Sequence, residues 1–297
     1  MPTTSRRFLN LNGIYVAIAT PFNSNGEVIF SGFSQLLQWQ KQSGIEGVVV
    51  AGTNGEGTSL SVDERKKLLE TAIDAQAGLK VIAGTGAASV EDAISLTVHA
   101  AAAGADAVLV LPPFFFKKPS EEGLIQYFRQ VLDSANIPVL LYHIPQFSMV
   151  PITGAIIDAL LPHPNLAGLK DSTGEWESTA AFVRDFPELA VFAGNDHLTQ
   201  NITAVGGAGS ISGTANSFPE LVARVRNLYT NGDHKGSAEA QIQLDMVMNV
   251  LAAFPPFAVN KAVMALRGLP SYSVRPPMRD LTADEARELA GKLVNYL

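Results

Sequence analysis

Lys170 ends a short apolar run, Leu166-Ala167-Gly168-Leu169, and is followed at once by the polar Asp171-Ser172-Thr173-Gly174. A cation at the end of a buried strand gives up its proton more readily than a solvated one, and the neutral amine is the nucleophile that attacks a carbonyl carbon to form an imine. Taken alone, the segment favours a plainer reading, in which Lys170 snorkels to the rim of a core and balances Asp171. Two other groups reverse that reading. Tyr142 closes the run Pro138 to Tyr142, and a phenol beside an imine-forming lysine can carry the protons of carbinolamine formation, dehydration and C–C cleavage. A strand-end aromatic with its hydroxyl in water explains Tyr142 equally well in isolation; beside Lys170 the catalytic role leads. Gly52-Thr53-Asn54-Gly55-Glu56-Gly57-Thr58 reads as a tight loop whose backbone N–H groups and Thr53 hydroxyl could hold a carboxylate.

The elements that must position these groups are eight short apolar runs, near Ile14 to Ala19, Gly47 to Ala51, Val81 to Ala83, Ala107 to Leu111, Pro138 to Tyr142, Leu166 to Lys170, Leu189 to Ala193 and Gly209 to Ser212. Continuous rather than alternating apolar runs are the mark of parallel strands covered on both faces. Between them lie helical stretches, among them Ser61 to Ala77, Val90 to Ala103, Glu121 to Ala135 and Phe218 to Thr230. Ser61-Val62-Asp63-Glu64 has the spacing of a capping box and Ser89-Val90-Glu91-Asp92 imitates it. Strand and helix alternating through eight rounds predict an α/β fold, a (β/α)₈ TIM barrel over residues 1–231 that carries the active site at the carboxyl ends of its strands. Residues 232–297 produce no further strands; Ser237 to Phe254, Pro256 to Leu266 and Thr282 to Leu297 read as a C-terminal helical extension without a catalytic constellation of its own. In this register Tyr142 and Lys170 end adjacent strands, about 4.8 Å apart, within reach of one substrate.

With 297 residues, 47% of them hydrophobic, the chain supports one large core. A net charge of -7 and the lack of clustered cations argue against a nucleic-acid groove or a basic membrane patch, and favour a small-molecule partner. The absence of cysteine excludes disulfide and thiolate chemistry. Met1 to Asn10 carries Arg6 and Arg7 without a following apolar run, so a cytoplasmic protein is expected. Gly84-Thr85-Gly86-Ala87-Ala88-Ser89 only imitates a dinucleotide fingerprint and is better read as a barrel turn. His143, His163 and His197 share no metal-ligand spacing, so no metal is expected. Phe114, Phe115 and Phe116, set in a loop by Pro112 and Pro113, point to a subunit contact or a substrate lid.

At these residues the sequence resembles the N-acetylneuraminate lyase and dihydrodipicolinate synthase superfamily of Schiff-base-forming lyases. The resemblance rests on Ala19-Thr20-Pro21-Phe22, Gly52-Thr53-Asn54-Gly55-Glu56, Tyr142-His143-Ile144-Pro145 and Gly168-Leu169-Lys170-Asp171, with Gly206 to Ser212 and Ala215-Asn216 on the eighth strand and after it. It implies a pyruvate-type 2-oxo acid bound covalently to Lys170, with no separate cofactor, and Tyr142 as proton-relay acid and base. Thr53 would pass protons and, with Asn54 and Gly55, bind the substrate carboxylate; the Ile211 carbonyl region, Gly194 and Phe147 would complete the substrate pocket. It further implies a homotetramer built as a dimer of dimers.

Three positions depart from the synthase pattern. Phe147 stands where the synthases carry an arginine that grips the aldehyde's carboxylate, Phe115 or a flanking phenylalanine replaces a relay tyrosine from the loop after strand four, and Asn54 replaces a second threonine. Losing a charge-assisted contact to a carboxylate weakens binding by roughly 1.5 to 3 kcal/mol. The expectation is therefore an aldolase acting on 2-keto-3-deoxy sugar acids or other 4-hydroxy-2-oxo acids, with an aldehyde as its second partner. The alternatives are a 4-hydroxy-tetrahydrodipicolinate synthase condensing pyruvate with aspartate semialdehyde, a sugar-acid dehydratase using the same imine, and a noncatalytic sensor that keeps the 2-oxo acid pocket.

Overall fold

The computed structural model describes residues 11–75 and 77–297, so the reading of Met1 to Asn10 lies outside the described residues. Eight strands follow one another: β1 (Gly13–Ala17), β2 (Gly47–Val50), β3 (Lys80–Gly84), β4 (Ala107–Val110), β5 (Val139–His143), β6 (Leu166–Asp171), β7 (Ala190–Ala193) and β8 (Gly209–Ser212). They close a parallel barrel in sequence order, with β8 pairing β1. The helices outside it are α1 (Phe30–Gln42), α2 (Val62–Asp74), α3 (Val90–Ala103), α4 (Glu121–Ser134), α5 (Pro145–Ser148), α6 (Gly154–Leu160), α7 (Trp176–Asp185), α8 (Thr199–Ala204) and α9 (Pro219–Thr230).

Two apolar layers explain why the strands other than β8, where Ser210 and Ser212 alternate with Ile211, carry no polar alternation. One face of each strand packs against the helices, through residues such as Val48, Leu141 and Leu169 with Leu68 and Phe128. The other fills the barrel interior, through Tyr15, Val49, Leu140, Phe192 and Ile211. The strand β6 contains an irregularity: Val139 pairs Leu166 but Leu140 pairs Gly168, so β6 carries one more residue than β5 at that point. A Cβ at Gly168 would lie 2.2 Å from the Ala190 carbonyl oxygen, so the bulge has room only for glycine.

Local chemistry fixes the helix ends. The α2 capping box is complete: the Glu64 N–H donates to the Ser61 hydroxyl at 3.1 Å and the Ser61 N–H to the Glu64 carboxylate at 2.9 Å. At α3 only half of it forms, with the Asp92 N–H donating to Ser89 Oγ.

After α9 come α10 (His234–Leu251), α11 (Ala258–Leu266) and α12 (Ala283–Leu293). They share an apolar cluster of their own, including Val247, Leu251, Val263, Leu289 and Leu293. The helix α10 starts three residues before the expected Ser237 because Asp233 caps it, accepting the Gly236 N–H at 2.8 Å. The helix α11 starts at Ala258 rather than Pro256, since Phe257 takes φ 64 and ψ -51 and cannot belong to a right-handed helix.

Candidate active site

The register of β5 against β6 sets Tyr142 directly opposite Lys170. Lys170 is buried, 3% exposed, inside the barrel near the carboxyl ends of its strands. Its Nζ donates to the Tyr142 hydroxyl at 3.3 Å and sits 4.3 Å from the centre of the tyrosine ring. The same phenol oxygen lies 3.2 Å from Thr53 Oγ1 and receives Ser172 Oγ at 3.4 Å. One phenol thus touches the amine of β6 and two hydroxyls from the loops after β2 and β6, a branched path along which a proton can pass.

Asp171, the next residue, points the other way. Its carboxylate accepts from the Thr173 N–H at 3.0 Å and from the hydroxyl of Thr179, on α7, at 2.7 Å. Neighbouring strand residues face opposite sides of a sheet. Asp171 makes these bonds outside the barrel, so the plainer reading of Lys170 as its balancing cation fails. His143, opposite Asp171, also faces outward; its Nδ1 accepts the Ile152 N–H at 3.0 Å. Burial lowers the His143 imidazole, against the raising effect of Asp171.

Burial alone would raise the Tyr142 phenol, but the Lys170 charge and the hydrogen bonds from Ser172, Thr53 and Lys170 together lower it below its ordinary 10.0. The phenolate, and hence a base, is therefore accessible at lower pH than for a free tyrosine.

The cluster opens into a cavity of about 1200 Å³, also lined by Asn54, Phe114, Phe147, Gly194, Asp196 and Gly213. Among the described residues its only lining cations are Lys170 and Arg65, and the Arg65 guanidinium is held by the carbonyls of Gly84 and Gly86. The Thr53 loop is tied from below: Thr20 Oγ1 donates to the Gly55 carbonyl at 2.6 Å, and Asn216, which bridges Ala17 and Ala19, holds β1 beneath it.

Gly194 is a spatial requirement rather than a contact. A Cβ there would stand 1.9 Å from Ser172 Oγ and 2.7 Å from Lys170 Cε. Gly194→Ala therefore pushes the lysine and Ser172 away from the phenol, and a displacement of about 1 Å in a reacting group costs about a hundredfold in kcat. Steady-state kinetics beside a thermal melt measures it; an unchanged kcat in the folded variant would show that Lys170 has another place to stand.

The structure brings together Lys170, Tyr142, Thr53, Asn54, Gly194 and Phe147 on one cavity. Gly55 and Ile211 do not line it: Gly55 is held at its carbonyl by Thr20, and Ile211 packs in the barrel interior, leaving Gly213 and Thr214 as the lining residues beyond β8. Phe115 and Phe116 are 82% and 75% exposed, with their rings edge to face, while Phe114 faces the cavity. The Gly84 to Ser89 segment is a barrel turn, in which the Gly86 α-carbon passes too close to Leu111 N to admit a side chain. His163 and His197 lie apart, beside Asp133 and Asp245.

Sequence reasoning did not single out Ser172 and Asp196. Ser172 follows the interior Lys170 by two residues, so continuing the strand alternation would have found it, whereas Asp196 opens a 3-10 turn beyond β7, where strand periodicity carries no signal. Asp196 is 3% exposed; its Oδ2 accepts from Ser212 Oγ at 2.8 Å and Thr214 N at 3.1 Å, whereas Oδ1 has no protein partner. Burial raises its carboxyl above the ordinary range, against the lowering effects of those bonds and of the Lys170 charge.

A parallel barrel with a buried lysine at the carboxyl ends of its strands places the chain among the barrel enzymes. The chain belongs to the dihydrodipicolinate synthetase family, whose model matches residues 10–295, and like the members of that family it is a lyase. It is 38% identical over 284 residues to an uncharacterized DapA-like lyase of Chloroflexus aurantiacus, with 93% of this chain and 94% of the relative covered. To the 4-hydroxy-tetrahydrodipicolinate synthase of Bacillus subtilis it is 34% identical over 290 residues, covering 96% and 99%. The solved structure of a sialic acid aldolase of Ruminococcus gnavus, a catalytic lysine mutant, superposes with a TM-score of 0.91 at 25% identity over 98% of each chain. Among the described residues no helix is long and apolar enough to cross a membrane.

Proposed function

We propose that this lyase is a class I aldolase that forms a Schiff base between Lys170 and a pyruvate-type 2-oxo acid, and that it cleaves or builds 2-keto-3-deoxy sugar acids or other 4-hydroxy-2-oxo acids. The observation that carries this is the contact of Lys170 Nζ, Thr53 Oγ1 and Ser172 Oγ with one phenol oxygen.

In the cleavage direction the neutral Lys170 amine adds to the C2 carbonyl, and the proton it sheds passes to the carbinolamine oxygen by way of Tyr142. Tyr142 then gives its own proton to that oxygen, which leaves as water, and the protonated imine and the Tyr142 phenolate remain. The Tyr142 phenolate then takes the proton of the C4 hydroxyl, the C3–C4 bond breaks, and its electron pair moves toward the imine nitrogen as the enamine forms. The aldehyde departs, C3 of the enamine is protonated, and hydrolysis returns pyruvate and the free amine. The Thr53 and Asn54 amides receive the substrate carboxylate. Borohydride with pyruvate should fix an adduct on Lys170, and an unmodified lysine in the peptide mass spectrum would end this reading.

The synthase reading is supported by the Bacillus subtilis relative and opposed by Phe147, which lines the cavity where a carboxylate-binding arginine is expected. A coupled assay with aspartate semialdehyde separates the two. Phe147→Arg is expected to raise kcat/KM for acidic aldehydes about tenfold, the return of one charge-assisted contact; a panel of acidic aldehydes without any gain would place the selectivity elsewhere. The exposed Phe115 and Phe116 support assembly as a dimer of dimers.

A further inference from the structure

Glu56 lies three residues beyond Thr53, and its N–H donates to the Thr53 carbonyl at 3.0 Å, closing the turn that presents the Thr53 hydroxyl. Its side chain reaches the segment that follows the barrel. Oε1 accepts from Lys261 Nζ at 2.6 Å and Oε2 from the Arg275 N–H at 2.9 Å. Lys261 Nζ also donates to the Ser273 carbonyl at 2.7 Å and stands 4.6 Å from the centre of the Phe22 ring. The two charged side chains are 1% and 2% exposed.

Such a pair is a poor device for stability, because desolvating both charges offsets most of their attraction. It is a good device for geometry, since a buried carboxylate bound at both oxygens has one available position. The backbone at each end agrees with that use. Glu56 holds φ 53, a left-handed conformation uncommon for a side chain of its size. Phe257, which lines the cavity, forms a strained γ-turn in which the Ala258 N–H donates to the Pro256 carbonyl at 2.7 Å. The Phe257 carbonyl accepts the Lys261 N–H at 3.3 Å, so Lys261 stands one helical turn further on. Strain persists only where surrounding contacts over-determine the chain, and it gathers at functional sites.

We propose that Glu56 and Lys261 are positioning residues, through whose ion pair the segment following the barrel holds the Thr53 turn against Tyr142. The inference rests on the function proposed above for the part Tyr142 plays, but its primary test is independent of substrate. Glu56→Gln keeps the shape and removes the charge, Lys261→Met removes the cation, and Lys261→Arg restores it. Ultraviolet difference titration against a Tyr142→Phe control follows the phenol at position 142. Losing the Thr53 contact removes one of the groups that lower this phenol, so its titration moves up by about half to one pH unit in Glu56→Gln and Lys261→Met, and returns toward the wild-type value in Lys261→Arg. Borohydride trapping of pyruvate slows about tenfold in the first two variants. A merely structural role would lower the folded fraction and leave the titration of the folded protein where it was. A folded Glu56→Gln protein titrating as wild type overturns the inference, and this variant decides the matter if Lys261→Met does not fold. Absence of any adduct in the wild-type protein would remove the proposed function, while the titration would still judge the role of Glu56 and Lys261.

Discussion

Lys170→Arg and Lys170→Ala are each expected to give a folded protein that forms no borohydride-stable adduct with pyruvate and has lost kcat on the order of 10⁴-fold or more, the scale on which enzymes lose a covalent nucleophile. The arginine variant is the sharper of the two. Its guanidinium keeps the positive charge beside Tyr142 but cannot deprotonate to become a nucleophile. Adduct formation and charge are thereby separated, which alanine alone cannot do. Peptide mass spectrometry reads the adduct and single-turnover kinetics the rate. Full biological activity in Lys170→Ala, with the adduct gone, would instead favour a sensor that only binds 2-oxo acids.

Tyr142→Phe is the second large effect, with kcat down by about 10² to 10⁴, the usual contribution of a placed acid and base. The sign of its pH dependence follows from the site. The phenol is lowered from 10.0 in the folded protein, so the phenolate forms, and activity climbs, along an arm below pH 10. Tyr142→Phe removes that arm. Thr53→Val and Ser172→Ala each delete a hydrogen bond that lowers the phenol, so in both the arm moves to higher pH, by up to about one unit. A Tyr142→Phe protein within about threefold of wild type, with its pH profile unchanged, would hand the proton transfers to another group.

The barrel was legible in the sequence because parallel strands buried on both faces leave uninterrupted apolar runs. The eight expected runs and the eight observed strands differ by at most two residues at either end. Tyr142 and Lys170 were legible for a related reason: each polar group terminates such a run, and in a barrel built in sequence order β5 and β6 must touch. Helix ends were harder. A cap at Asp233 and a γ-turn at Phe257 depend on single side chains and single dihedrals, which periodicity does not see. The pairing of Glu56 with Lys261 spans 205 residues and leaves no local pattern. The segment from Gly232 onward offered no chemistry of its own when read as sequence, and its part in walling the cavity and gripping Glu56 appears only in three dimensions.

The extra residue in β6 bears on which side chain the enzyme can use at all. Ala167 faces the barrel interior and Leu169 the helices. Under strict alternation from Ala167, Leu169 and Asp171 would fall on the inner face and Lys170 on the outer one. The bulge at Gly168 shifts the count by one, and the inner position passes from the carboxylate to the amine. Parity along one strand thus decides whether the centre of this barrel holds a base or a nucleophile. A one-residue deletion between Ala167 and Lys170 would preserve every functional side chain in the sequence while sending the lysine outward, toward α7.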